Sequence, residues 1–214
     1  MHVKWHGHSC FEFSNDNLDV VIDPHDGKSI GIRPPSATAD IVLITHRHYD
    51  HNAVRVINGD HRDHVAHNGK FECKGMNFHG FPTYHDNENG TVRGLNTMYM
   101  FQMDGISICH CGDLGQMPCQ KTLKAIQNID LLFLPVGGIY TMENDALKDF
   151  INEVRPRIII PMHYRTGGLT IPIASVDGFL EMIPKDFVVY IGNSIEITTE
   201  ELPELKECWV FERQ

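Results

Sequence analysis

Thr45-His46-Arg47-His48-Tyr49-Asp50-His51 places three imidazoles and a carboxylate in a row directly after the apolar run Ile41-Val42-Leu43-Ile44. The run is short and apolar at every position, as expected of a strand buried on both faces. Extended backbone carries His46, His48 and Asp50 to one side, and a turn into a short helix over 52–58 swings His51 round to join them. Nitrogen and oxygen donors at this density suit zinc, with manganese or iron as less typical occupants. A solvated turn gains nothing from such a cluster, because unpartnered histidines contribute no packing there.

Working outward, four more ligand-type residues end apolar runs. Asp23 follows Leu18–Ile22, His85 follows Phe81–Tyr84, Asp113 follows Ile106–Cys111 through Gly112, and His163 follows Ile158–Met162. In sheets flanked by helices, sites gather at the carboxyl ends of strands. One aspartate at a strand end is ordinary turn chemistry; a whole series of such ends points to a shared site. His79, six residues before His85, is the alternative for the third histidine. His61, His64 and His67 fall in a polar, turn-like stretch and read as surface. In Cys109-His110-Cys111 a strand puts both thiols on one face. Cys119 is the only nearby partner, so the pair reads as packed core rather than a structural zinc site.

The rest of the chain alternates short apolar runs with turn clusters. Strands are predicted over 3–5, 10–13 and 18–22, with a hairpin turn at 14–17. Further short strands fall in 65–81, and a hairpin joins 97–103 to 106–111 through Asp104-Gly105. Later strands are predicted over 131–136 and 158–162, a late hairpin over 187–191 and 195–198, and a last strand over 207–211. Helices are predicted over 118–127, 144–154 and 175–183. Residues 26–39 and 86–94 read as loops, the latter carrying Arg93. Strands interleaved with helices in both halves place helices outside one or two sheets. No linker or repeat divides residues 1–214, so a single domain is expected.

Composition limits the function classes. Among 214 residues, 28 are acidic and 18 are Lys or Arg, a formal charge of −10. That balance opposes phosphate neutralisation on long nucleic acid. Histidine reaches 14, which matters because imidazole is the commonest metal ligand. The six cysteines are scattered and read as reduced thiols of a cytoplasmic protein. The N-terminus runs straight into a strand pattern, so no leader peptide is expected, and no apolar window is long enough to span a membrane.

The HxHxDH run, the Gly112-Asp113 pair and the late His163 resemble the metallo-β-lactamase superfamily of metal-dependent hydrolases. Several segments resemble a compact branch that includes ascorbate-6-phosphate lactonase and N-acylphosphatidylethanolamine-hydrolysing phospholipase D. They are Trp5-His6-Gly7-His8-Ser9-Cys10-Phe11, Val21-Ile22-Asp23-Pro24, Leu134-Pro135-Val136-Gly137-Gly138 and Ile160-Pro161-Met162-His163-Tyr164. The resemblance implies a four-layer αββα sandwich of the α/β class holding two divalent ions, zinc before manganese or iron. It implies that His46, His48 and His85 hold one ion and Asp50, His51 and His163 the other, with Asp113 bridging. Asp23 is implied to hydrogen-bond into the histidine loop without touching metal. The implied activity is hydrolysis of an ester, lactone or phosphodiester bond of a small anionic metabolite by a hydroxide shared between the ions, Asp50 guiding its proton. His8, Tyr164 and Arg165 are candidates for substrate contact, and a homo-oligomer is compatible with the resemblance. The same superfamily holds nucleases and phosphodiesterases, which the charge disfavours. It also holds di-iron redox proteins, which usually replace one histidine of the run by a carboxylate and attach a flavin domain; all three histidines of the run are present here, and no flavin domain is expected.

Overall fold

A computed structural model describes residues 1–212; the last two residues of the expected 1–214 domain lie outside it. Fourteen strands form two sheets. The chain runs β1 (His2–Gly7), β2 (Cys10–Ser14), β3 (Asp19–Ile22), β4 (Ile41–Ile44), β5 (Arg62–Val65), β6 (Gly69–Cys73), β7 (Met76–Tyr84), β8 (Leu95–Met103) and β9 (Ile106–His110). Helix α1 (Gln120–Ala125), β10 (Leu131–Pro135), α2 (Asn144–Val154), β11 (Ile158–Met162), α3 (Asp177–Leu180), β12 (Val188–Ile191), β13 (Ser194–Glu196) and β14 (Glu207–Phe211) follow. The first sheet has the order β13-β1-β2-β3-β4-β5 and the second β12-β14-β11-β10-β9-β8-β7-β6.

The side-chain period of two builds the sandwich. In the first sheet Val3, Trp5, Phe11, Phe13, Val20, Ile22, Ile41 and Leu43 point into the core between the sheets. The intervening Cys10, Val21, Val42 and Ile44 point outward to a second apolar cluster with Ala37, Ala39 and Ile57. That outer face is covered by the loop before β4 and by a single 3₁₀ turn at Val54–Val56, where the sequence predicts a short helix. The second sheet is covered by α2, which buries Leu147, Phe150, Ile151 and Val154 on one stripe, as its 3.6-residue spacing predicts. This is the α/β sandwich that the resemblance implies, with few helices.

Three expectations change in the fold. Residues 187–191 and 195–198 do not form a hairpin: β12 pairs in parallel with β14 in the second sheet, whereas β13 pairs antiparallel with β1 in the first. Two apolar runs separated by a short turn look alike whether the chain stays in one sheet or crosses between two. The short strands expected within 65–81 include a long one, because β7 runs unbroken through Gly80 to Tyr84. The helix predicted over 175–183 is one turn, Asp177–Leu180. No helix of the described residues is long and apolar enough to cross a membrane.

Phe133 on β10 is fully buried and meets Phe11 and Phe13 edge-on, with ring centroids 4.6 and 5.1 Å away. These contacts join the two sheets. Phe133→Ala should cost about 3–5 kcal/mol of unfolding free energy, read as a lowered denaturant midpoint with an unchanged m-value; an unshifted midpoint would refute the packing described.

Candidate metal centre

The candidate donors lie at one edge of the sandwich because each leaves the carboxyl end of a strand. His8 follows β1, Asp23 follows β3, His46 to His51 follow β4, His85 follows β7, Asp113 follows β9 and His163 follows β11. Three of them, His8, Asp23 and His163, are the first residue after their strand and have left-handed backbone, with φ of 53°, 49° and 52°. Non-glycine residues rarely adopt this conformation, and it persists only where surrounding structure enforces it. The sharp turn reverses the chain at once and leaves the side chain on the sheet edge. The His8 carbonyl is fastened by the Trp5 indole N–H at 3.0 Å and the His163 amide at 3.2 Å. Gly112 also has positive φ, and a Cβ there would collide with Asn96 Oδ1 and the Thr45 side chain. The backbone before Asp113 can therefore approach the histidine loop only as glycine.

The segment from Thr45 to His51 is a series of bends and turns rather than a continuation of β4. It still brings its donors together. His46, His48 and His85 form one group whose ligand atoms all lie within 4.8 Å of one another, and His8, Asp50, His51 and His163 form a second. Asp113 sits between them. Its Oδ2 is 3.1 Å from His163 Nε2, 3.2 Å from His85 Nε2, 3.3 Å from His51 Nε2 and 3.8 Å from His46 Nε2. His79 is far from this arrangement, on the outer surface of β7 with its ring 3.8 Å from that of Phe81. His85 occupies the position for which both were candidates.

Hydrogen bonds on the far side of the rings select the tautomers. Asp23 is fully buried and accepts from the Thr45 amide at 2.7 Å, the Thr45 hydroxyl at 2.6 Å and His51 Nδ1 at 2.9 Å. With its proton given to Asp23, Thr45 Oγ1 accepts from His46 Nδ1 at 3.0 Å. His85 Nδ1 donates to the Tyr140 carbonyl at 3.1 Å. Each bond leaves the opposite Nε2 as a bare lone pair. His46 Nε2, His51 Nε2 and Asp113 Oδ1 are buried without a hydrogen-bond partner. Lone pairs and carboxylate oxygens thus converge with no fixed cation among them: no Lys or Arg of the described residues pairs with Asp23, Asp50 or Asp113. Such a set fits divalent cations and little else.

A family model described as a beta-lactamase superfamily domain matches residues 2–163. The chain belongs to the metallo-β-lactamase superfamily. Curated relatives of the superfamily include a UPF0173 metal-dependent hydrolase of Thermoplasma acidophilum, 29% identical over 78% of this chain and 84% of its own length. Another, from Bacillus velezensis, is 27% identical over 92% of this chain and its full length. A crystal structure from Thermotoga maritima, inferred to be a Zn-dependent hydrolase of the superfamily, superposes with a TM-score of 0.82. It is 32% identical and covers 100% of this chain and 99% of its own. This chain is accordingly a metal-dependent hydrolase of the superfamily.

The electrostatics of this superfamily site suit metal exchange for protons. Burial, reinforced by neighbouring His51, pushes His46 down to about 2, so it is neutral at pH 7 and free to ligate. Burial with His163 beside it takes His8 down to about 3. Burial opposes charge on His51 too, but the carboxylates of Asp113, Asp50 and Asp23 outweigh it and raise that ring well above the ordinary histidine value. Burial raises Asp113, yet His163 and His51 hold it well below the carboxylate range. Without metal, protons on the histidines supply the positive charge, and a bound cation displaces them.

Among the tentative substrate contacts, the structure brings in His8 and turns the other two away. His8 is fully buried, its Nε2 3.1 Å from Asp50 Oδ2 and its ring 4.3 Å from that of His163. Tyr164 lies in the core, its ring 5.4 Å from Trp5 and its hydroxyl donating to the Phe211 carbonyl at 3.1 Å. The left-handed turn at His163 points consecutive side chains to opposite sides. Arg165 is exposed, outside the residues lining the site, with its amide bonded to the Ala174 carbonyl. Asn96 is a residue the sequence reading missed. Its Oδ1 accepts the Asp113 amide at 3.0 Å while its amide nitrogen donates to Thr83 and Cys111, and nothing near it in the chain signals this. Cys109 and Cys111 are fully buried, as packed thiols should be, while Cys119 is exposed.

The loop after His85 is wound on one carboxylate. Asp86 Oδ1 accepts the Glu88 and Gly90 amides, both at 2.8 Å, and Oδ2 accepts the Val92 and Arg93 amides at 3.0 and 2.6 Å. Burial raises Asp86, but these amides, Arg93 foremost, bring it down to about 2. An unfolded aspartate titrates near ~3.9, so this carboxylate stabilises the fold fully above that pH and loses its effect as pH falls toward 2. With chelator present, Asp86→Asn should lower the urea midpoint at pH 7, and the gap to wild type should narrow as pH falls to about 3. A pH-independent gap would contradict the assignment. Zinc loading of chelator-stripped protein at pH 7 should release at least about one proton per chain, read by calorimetry in buffers of different ionisation enthalpy. Identical heats in all buffers would rule out protonated His51.

Proposed function

We propose that the chain hydrolyses an ester, lactone or phosphodiester bond of a small anionic metabolite with a hydroxide shared by two divalent ions, zinc by preference. The observation that carries this reading is Asp113 Oδ2, within 3.1–3.8 Å of four imidazole nitrogens drawn from three separate segments. One carboxylate oxygen so placed suits a bridge between two cations. His46, His48 and His85 would hold one, and Asp50, His51 and His163 the other. The donors are chiefly imidazole with few carboxylates, which favours zinc over magnesium or calcium. Divalent ions so held supply Lewis acidity, bringing the pKa of water toward neutrality and polarising the scissile oxygen.

The chain's own side chains supply positioning and proton handling. Burial raises Asp50, but His51 and the hydrogen bond from His8 more than reverse this, so the carboxylate is ionised at neutral pH. Its Oδ2 is held by His8 Nε2, and Oδ1 has no hydrogen-bond partner among the described residues. Asp50 is therefore placed to accept the proton of the attacking water and to pass it on. The cavity above the donors measures about 310 Å³ and is walled by Tyr49, Tyr140, Ile171 and Pro172. That is the low end of small-molecule sites.

Protein loaded with zinc should hold about two equivalents and hydrolyse one class in a panel of a lactone, a thioester, a phosphodiester, a β-lactam and a short RNA. Asp50→Asn should keep most of its metal by elemental analysis while turnover falls about 10²–10⁴-fold. Failure to retain metal in the wild type, or full turnover in the variant, would overturn the reading.

A further inference from the structure

The cavity over the metal centre has one cation among its lining residues, Arg93. Its guanidinium carbon stands 5.0 Å above the Tyr140 ring, and no carboxylate of the described residues pairs with it. Among the described residues only Arg55 and Arg157 form guanidinium–carboxylate pairs, so what sets Arg93 apart is its place over the donors. It is held on the rim by two separate attachments. The Arg93 amide is bonded to Asp86 Oδ2, and Asp86 directly follows His85. The Tyr140 ring supports the guanidinium from below, and the Tyr140 carbonyl accepts from His85 Nδ1. Both attachments lead to the same candidate ligand, so the cation stands in a fixed relation to the donors. A stacked guanidinium keeps its edge N–H groups available, and those groups match the two oxygens of an oxyanion.

We infer that Arg93 anchors a non-reacting carboxylate or phosphate of the substrate while the scissile group lies at the histidine and aspartate donors. The inference rests on the metallo-hydrolase reading above and narrows its substrate class. The substrate carries two polar ends: the bond to be cleaved, and an oxyanion that takes no part in cleavage. Tyr49, Tyr140, Ile171 and Pro172 are apolar or aromatic, so the portion spanning the two ends is a short apolar one. A cavity of about 310 Å³ accommodates a portion a few carbons long between the two ends.

The test uses full-length protein loaded with zinc and titrated calorimetrically with hydroxamates, which bind metal through one end. One series carries a carboxylate tail, from malonic to adipic monohydroxamate; a second carries a phosphonate tail; neutral alkyl hydroxamates of matched length serve as reference. Wild type should bind one anionic tail about tenfold more tightly than its neutral match, the scale of one charge-assisted bond. Arg93→Gln should abolish that preference without changing the affinity for neutral hydroxamates, and Arg93→Lys should restore part of it. Metal content measured before and after each titration confirms that the centre stays loaded. Equal binding of anionic and neutral ligands by wild type, or a preference that survives in Arg93→Gln, overturns the anchor while leaving the metal centre standing. If no hydroxamate binds although zinc is retained, the hydrolase reading fails and the anchor fails with it.

Discussion

Electron pairs converging with no fixed cation among them are the constraint on which the rest of this structure depends. Asp23, Asp50 and Asp113 are buried at one sheet edge, together with imidazole nitrogens whose protons are committed elsewhere. Such a concentration of negative charge costs several kcal/mol per group unless a cation offsets it. Protons on His51 and His85, which burial disfavours but Asp113 holds above the ordinary histidine value, are the makeshift solution, and divalent metal is the one for which the geometry is built. The side-chain hydrogen bonds behind the rings belong to the same device. Asp23 aligns His51 directly and His46 through the Thr45 hydroxyl, so one carboxylate sets two rings at once.

The sandwich serves this edge. Its core is aromatic and continuous, with Phe11, Phe13 and Phe133 interlocked across the two sheets. That rigidity lets three residues keep left-handed backbone at strand ends, at roughly 1–3 kcal/mol each. Strain at His8, Asp23 and His163 is the consequence of turning the chain back within one residue. A looser turn would relax the backbone and move the donor. Outside the centre, the 86–94 loop and the 137–142 loop bring Arg93 and Tyr140 to the rim of the cavity. Both are attached to His85, one through the chain and one through the Tyr140 carbonyl, so the rim follows the ligands rather than floating above them.

Much of this was legible before any coordinates. The strands β4, β9, β10 and β11 and the helix α2 follow from apolar runs and from a clear 3.6-residue stripe. The donors stand where those runs end, because a strand end is the one place a short polar side chain can leave a sheet without disturbing its packing. The crossing from β12 to β13 between the sheets was not legible, since nothing local distinguishes a turn within one sheet from a crossing between two. Nor was the role of Tyr164. Its neighbour His163 faces the centre while Tyr164 enters the core, and the left-handed φ at His163 that sets these directions leaves no mark on periodicity.

The sequence by itself determined the chemistry of this protein: which donor types are present, their density after β4, and their recurrence at successive strand ends. Those are local properties, set by residue identity and spacing. Only the tertiary structure decided that His85 rather than His79 meets Asp113, that His8 holds Asp50, that Asn96 fastens the Asp113 amide, and that Arg93 rather than Arg165 stands over the cavity. Each of those choices depends on register and on which face a strand presents after it twists. Both are settled by packing between residues far apart in the chain, where no local pattern reaches.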